Sequence, residues 1–365
     1  MIVQMLSFAA GLVLLVLGAE LLVRGASRLA LSFGVSPLVV GLTVVAFGTS
    51  APELAVSVAS AWSGQVDIAL GNVVGSNIFN VLFILGVSAL VSSLVVDAQL
   101  IRQEVPVMLG ASLLLWLLAA DGAIGRSDGA LLFGLLVAYT VFLVVQSRRQ
   151  IRATEDEYSQ AIAKGSSGSE HRVVQVLLVL GGLAVLVLGS KLLVTAAVAF
   201  AKALGLSELV IGLTIVAAGT SLPEVATSVM ATIRGERDIA VGNVVGSSTF
   251  NILGVLGISS LVAPSSLTVA PGMLSFDLPV MTAVAFACLP VFFTGREIAR
   301  WEGAIFVGYY GVYTAYLILA AQEHDALPMF SATMLWFVVP ITALTLAIAL
   351  YRTSKRHPRG DRDAR

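Results

Sequence analysis

The chain has 365 residues, 58% of them hydrophobic and 12% charged, with a formal net charge of −1 and a mean hydropathy of +0.96. Globular proteins carry about 25% charged residues, so these side chains cannot coat a soluble fold of this size, and disorder is excluded because it needs low hydrophobicity and high charge. What remains is an all-α polytopic membrane protein; the near-zero net charge points to no nucleic-acid partner, and the 34 glycines suit closely packed transmembrane helices.

The first basic residue, Arg24, follows the N-terminal apolar run instead of preceding it, and the run is too long for the core of a cleavable signal. It reads as the first helix, near residues 3–23. A crossing helix needs about 20 apolar residues, and further spans read near 37–61, 69–93, 105–120 and 128–147. A polar segment from Arg148 to Arg172, containing Lys164-Gly165-Ser166-Ser167-Gly168-Ser169, reads as a flexible linker. Spans follow near 174–200, 208–233, 238–262, 273–293 and 301–321, then one more near 331–351, and the basic tail 352–365 reads as disordered. The expected organisation is a first five-helix repeat (1–147), a cytoplasmic linker (148–172), a second repeat (173–322), an extra helix (323–351) and the tail (352–365). The lone cysteine, Cys288, lies in an apolar stretch and forms no internal disulfide.

Orientation follows from Lys and Arg placement. With the N-terminus outside and the C-terminus cytoplasmic, the inner loops hold Arg24, Arg28, Arg102, the linker, Arg234, Arg237, Arg296, Arg300 and the tail, while the outer loops hold Arg126 and Lys202. A multi-pass protein of the cell membrane is expected.

The chain repeats itself. Residues 41–86 (GLTVVAFGTSAPELAVSVASAWSGQVDIALGNVVGSNIFNVLFILG) pair without a gap with 212–257 (GLTIVAAGTSLPEVATSVMATIRGERDIAVGNVVGSSTFNILGVLG), matching at about 28 of roughly 46 positions. Gly11–Gly41 aligns with Gly182–Gly212, Glu104-Val105-Pro106 with Asp277-Leu278-Pro279, and Asp128-Gly129-Ala130 with Glu302-Gly303-Ala304. The repeated unit is about five spans, an odd number, so the second copy enters the membrane from the opposite face. Secondary transporters use this inverted plan, with the site near the midplane where the copies meet. The eleventh span has no counterpart.

Each repeat places one carboxylate within a span, Glu53 and Glu224, in Gly-Thr-Ser-X-Pro-Glu. An ionisable group there costs about 2.5–3.5 kcal/mol or more and marks a functional site; the alternative is a glutamate near a helix end reaching the headgroups. Pro52 and Pro223 offer no N–H to the carbonyls of Gly48 and Gly219. The helix is expected to break and free carbonyls near Ala46–Gly48 and Ala217–Gly219, oxygens suited to a hard cation; a proline alone would read as a packing kink, but beside Glu and Thr-Ser the cation site is the reading taken. Thr49, Ser50, Thr220 and Ser221 precede the glutamates by three or four residues, on one face if the helix continues; they equally suit caps of the broken turn. In the next span Asn72, Ser76 and Asn80, and Asn243, Ser247 and Asn251, line one face. Asn72 and Asn243 suit helix–helix glue as well as a site, whereas Asn80 and Asn251 sit deeper and favour the site. Gly71/Gly75 and Gly242/Gly246 allow close helix approach. Asp67 and Asp238 are expected as N-caps, Asp128 and Glu302 as helix-start acids. Glu20 and Lys191 align at expected helix ends with opposite signs, which argues against a shared ligand role. His171, His324 and His357 all lie outside the spans, against a histidine proton relay.

Two facing carboxylates carry charge −2, matched by one Ca²⁺ or two Na⁺. Hydroxyl, amide and carbonyl oxygens complete the 6–8 that Ca²⁺ prefers, and Mg²⁺ sheds water too reluctantly. Soft metals would want Cys, Met or His, absent from the stripe.

At these residues the sequence resembles the sodium/calcium exchanger family of the cation/Ca²⁺ antiporter superfamily, in its prokaryotic form, over about residues 3–321. The resemblance implies ten core helices, alternating access by sliding of the first and sixth helices, and electrogenic exchange of several Na⁺ per Ca²⁺. It places the ions among Glu53, Glu224, Thr49, Ser50, Thr220, Ser221, Ser76, Asn80, Ser247 and Asn251, with the carbonyls of Ala46 and Ala217. It implies no cofactor beyond the transported Na⁺ and Ca²⁺, and one chain suffices for transport. K⁺-dependent relatives carry Asp where this chain has Asn251, so no K⁺ requirement is expected; the short linker lacks the Ca²⁺-sensing domains of animal relatives, and the eleventh span departs from the pattern. A Ca²⁺/H⁺ or other cation/H⁺ antiporter using the same glutamates is the competing expectation. A channel fits the inverted repeat poorly, and an enzyme lacks a nucleophile–base pair or HExxH motif.

Overall fold

The protein is described here by a computed structural model covering residues 2–33, 35–153, 169–203, 217–293, 296–322, 324 and 326–340. The middle of the linker, the start of the seventh span, the end of the extra span and the basic tail therefore lie outside the described residues.

Helices dominate. In the first repeat α1 spans Ile2–Phe33, α2 and α3 are Pro37–Thr49 and Ala51–Trp62, α4 is Val66–Val91 and α5 is Leu100–Asp121. The helix α6 spans Arg126–Ala153. The second repeat contributes α7 (Ser169–Ala203), α8 (Ala217–Thr220), α9 (Leu222–Ile233), α10 (Arg237–Val262), α11 (Met273–Phe293) and α12 (Arg300–Ala321). A further short helix, α13, spans Leu327–Thr333. Eight of the described helices are long and apolar enough to cross a membrane, and the bent pair α2–α3 makes a ninth.

Several boundaries differ from the sequence expectation. The first helix runs ten residues past residue 23, because nothing in Arg24–Phe33 breaks a helix, so Glu20 and Arg24 lie inside it and not at its end. The fourth span begins at Leu100, which brings Glu104 within it. Glu53 and Glu224 are therefore not the sole carboxylates inside spans. Asp67 and Asp238 are not N-caps: α4 and α10 begin one residue before them, and Gln65 and Glu236 hold the N-cap position without a side-chain capping bond. Asp128 and Glu302 do act at helix starts, accepting the backbone N–H of Gly125 and Ala299, each at 2.8 Å.

Two short antiparallel strand pairs join the repeats. Strand β1 (Leu94–Val95), after α4, pairs with β4 (Glu297–Ile298), after α11. Strand β2 (Ala123–Ile124), after α5, pairs with β3 (Leu267–Thr268), after α10. The end of the third span in each copy thus meets the end of the fourth span in the other. Successive spans end on opposite faces, so these pairings require the copies to be oppositely inserted.

The helices α1 and α7 form a tight pair built on glycines. A Cβ on Gly18 would lie 2.7 Å from Leu186 N, and one on Gly182 would lie 2.6 Å from Leu22 N. Hydrogen side chains let these backbones touch, as lipid-embedded packing demands. Gly242 and Gly246 seat α10 against Leu38, Leu42 and Ala46 of α2. The counterparts of Leu38 and Leu42, residues 209 and 213, lie outside the described residues. The helix α10 is buried from Ile239 to Gly257 and α4 over most of its length, so these two form the centre of the molecule.

Replacing Gly182 with Val should force the α1–α7 backbones apart and cost about 1–3 kcal/mol. Gly181, whose added Cβ would meet nothing within 4 Å, is the control: in detergent melts Gly182→Val should unfold at lower temperature, while Gly181→Ala should match the parent.

Candidate functional site

The two Gly-Thr-Ser-X-Pro-Glu motifs meet at the centre. Pro52 and Pro223 each sit in the first turn of their helix, where a missing N–H costs nothing. The bend falls on the serine before each, at φ −81°, ψ 10° for Ser50 and φ −89°, ψ 9° for Ser221. In the first repeat the two segments bend by 47°. The break is thus later than the Ala46–Gly48 turn. The Ala46 carbonyl is not freed: it accepts Ser50 N–H at 3.0 Å, with Thr49 Oγ1 and Ser247 Oγ each 3.4 Å away. The Gly219 carbonyl does lose its helical donor and instead accepts Ser190 Oγ at 2.8 Å. Ala217 opens α8 immediately after residues outside the described set.

The serine hydroxyls cross over. Ser50 Oγ donates to Glu224 Oε1 at 2.9 Å, and Ser221 Oγ donates to Glu53 Oε1 at 2.8 Å. Each serine therefore holds the other repeat's carboxylate, whereas helical spacing places it beside its own; the bend at the serine swings its side chain across the interface. The threonines cross too: Thr49 Oγ1 lies 3.1 Å from Asn243 Oδ1, and Thr220 Oγ1 lies 3.3 Å from Asn72 Oδ1.

Asn72 and Asn243 position the glutamates. Asn72 Nδ2 donates to the Glu53 carbonyl at 3.2 Å and to Ser57 Oγ at 2.9 Å. Asn243 Nδ2 does the same to the Glu224 carbonyl at 3.5 Å and Ser228 Oγ at 2.9 Å. Their amides are fully engaged, which makes them supports and not open ligands. Ser57 and Ser228 were missed in the sequence, although each follows its glutamate by four residues in both copies.

What remains open is a set of buried oxygens. Glu53 and Glu224 are 1% and 0% exposed, and Oε2 of each has no hydrogen-bond partner. Both side-chain polar atoms of Asn80 and of Asn251 are likewise buried and unpartnered. Each asparagine opens a π-helical turn, Asn80–Leu85 and Asn251–Leu256, a local widening frequent at functional sites. Ser76 lies 3.2 Å from Ser221 Oγ. The two carboxylates repel each other, and among the described residues no Lys or Arg pairs with either and no third acidic, His or Cys side chain joins them. Buried charges are normally paired or bound to metal. A cage of two carboxylates with neutral amide and hydroxyl oxygens is chemically a hard-cation site.

The other buried acids differ in kind. Glu104 accepts from Gln99 at 2.8 Å, from Gln103 at 2.9 Å and from Tyr139; its repeat mate Asp277 accepts from Tyr313 at 2.9 Å. Tyr139 and Tyr313 occupy matching places in the fifth helix of each repeat, so these carboxylates tie helices together.

Removing the Asn72 amide deletes its bonds to the Glu53 carbonyl and Ser57 Oγ, each worth about 0.5–1.5 kcal/mol. Asn72→Ala should lower thermal stability accordingly and shrink the stabilisation that added Ca²⁺ confers, both read in the same melting series.

Residues 3–145 and 174–319 match the family described as sodium/calcium exchanger protein. CaxA of Alkalimonas amylolytica is 40% identical over 321 residues, covering 85% of this chain and 98% of that one. Sodium/calcium exchanger MaX1 of Methanosarcina acetivorans is 34% identical over 339 residues, covering 84% and 96%. Among solved structures, the sodium–calcium exchanger NCX_Mj superposes with TM-score 0.74 at 31% identity, covering 87% of this chain and 99% of that one.

Proposed function

Because the chain belongs to the sodium/calcium exchanger family, we propose that it is a secondary antiporter that exchanges Na⁺ for Ca²⁺ through a single cage between its two inverted repeats. One observation carries the reading: two buried carboxylates, each held by the opposite repeat's serine, turn an unpartnered oxygen into a site shared with two unpartnered carboxamides.

In this reading Ca²⁺ sits between Glu53 and Glu224, with Asn80, Asn251, Ser76 and Ser247 at its sides. Thr49, Ser50, Thr220 and Ser221 border the cage, together with the backbone of Ala46 and Ala217. Na⁺ ions take the same oxygens in turn, so filling with one kind empties the other. Each fill offsets the charge of the two carboxylates, and the filled cage tolerates burial far better than the bare one. The α1–α7 pair, held mainly to itself by its glycine contacts, is the body that slides. The chain works in the cell membrane with its N-terminus outside and needs no cofactor.

Vesicles holding the purified protein and loaded with Na⁺ should accumulate ⁴⁵Ca²⁺ when external Na⁺ is removed. Glu53→Gln and Glu224→Gln should each lower that uptake by at least about 100-fold, a loss of roughly 2.7 kcal/mol or more. Uptake that ignores the Na⁺ gradient and follows a pH gradient alone would identify a Ca²⁺/H⁺ antiporter instead.

A further inference from the structure

The two repeats are alike at the cage and unlike at the α1–α7 pair. Among the described residues, three polar links run from that pair to elements of the second repeat. Glu20 of α1 receives Arg234 at the end of α9, with Nε 2.8 Å from Oε2 and a second guanidinium contact, and also pairs with Arg24 one turn on. Ser27 Oγ donates to Glu236 Oε1 at 2.9 Å, in the turn between α9 and α10. Ser190 of α7 fills the Gly219 carbonyl that Pro223 leaves without a donor.

None of these links can form in the first repeat. The alignment that pairs Gly11 with Gly182 puts Lys191 opposite Glu20, Val198 opposite Ser27 and Ala19 opposite Ser190. It puts Ser63 opposite Arg234 and Gln65 opposite Glu236. Lysine and serine cannot make an ion pair, valine cannot donate to Gln65, and alanine has no hydroxyl for the Gly48 carbonyl. Packing among the described residues follows the same asymmetry: α1 lies along α9, while α7 has no comparable packing along α3. A carrier with interchangeable halves would have two nearly equal states; links present in one state alone shift that balance.

We propose that Glu20, Arg234, Ser27, Glu236 and Ser190 form a one-sided clasp that holds the α1–α7 pair over the second repeat, closes the cage at the α9–α10 turn, and so gives the carrier a higher apparent ion affinity from the opposite face. The clasp rests on the exchange reading for its effect on affinity, but not for its existence. Because apparent affinity scales with the fraction of molecules in the competent state, loosening the clasp weakens binding at the favoured face and tightens it at the other.

Two measurements test this. In a Cys288→Ala background, the pair Ser27→Cys with Glu236→Cys should cross-link under oxidant in native membranes, and the mirror pair Val198→Cys with Gln65→Cys should not. Equal cross-linking of both pairs overturns the clasp. In vesicles of defined orientation, Glu20→Ala with Arg234→Ser should change the ratio of half-saturating Ca²⁺ at the two faces by at least about threefold, and the charge swap Glu20→Arg with Arg234→Glu should restore it. A ratio unchanged in the first variant also overturns the proposal. A parent protein without Na⁺-dependent Ca²⁺ flux would sink the exchange reading, and cross-linking would still decide the clasp.

Discussion

Each half of this protein supplies a carboxylate it cannot hold alone. The hydroxyl that steadies Glu224 comes from Ser50, and the one that steadies Glu53 comes from Ser221. In a medium with no water to solvate them, two buried acids without basic partners are tolerable only where other dipoles and a cation share the load. The reciprocal serines supply part of that support, occupy one oxygen of each carboxylate and leave the other without a hydrogen-bond partner. The opposed insertion of the copies, which the crossed strand pairs impose, brings each bent serine to the other's glutamate.

The remaining architecture protects this exchange of partners. Asn72 and Asn243 pin the glutamate backbones from the neighbouring central helices. The π-helical turns begin at Asn80 and Asn251, whose carboxamides are buried and unpartnered. Glycines let α10 press against α2, and let the α1 and α7 backbones pack in direct contact. The α1–α7 pair covers this centre through apolar packing of α1 on α2, α9 and α10, with polar links at the α9–α10 end.

Much of this was legible in the residues. The duplicated motif pointed to the two glutamates that the fold buries, and the four-residue spacing pointed to Asn80 and Asn251, which the fold buries without partners. The odd number of spans implied inversion before any strand pairing was visible. Other features were not readable. Helical spacing puts Ser50 beside Glu53, and the bend that sends it to Glu224 is a tertiary outcome. Pro52 indicated a break but not its position, so the Ala46 carbonyl looked free when it is bonded. Glu20 looked like a helix-end residue because hydropathy fades near Arg24, although the helix continues to Phe33. Ser57 and Ser228 carried a readable signal, repeated spacing from the glutamate, masked by how ordinary serine is on a packed helix.

That one cage serves both ions in turn is most directly tested by equilibrium binding. ⁴⁵Ca²⁺ binding to the purified protein should saturate near one ion per chain, and rising Na⁺ should shift the isotherm to higher Ca²⁺ without lowering its plateau. Binding indifferent to Na⁺, or a plateau that falls while the midpoint stays fixed, would contradict a shared cage.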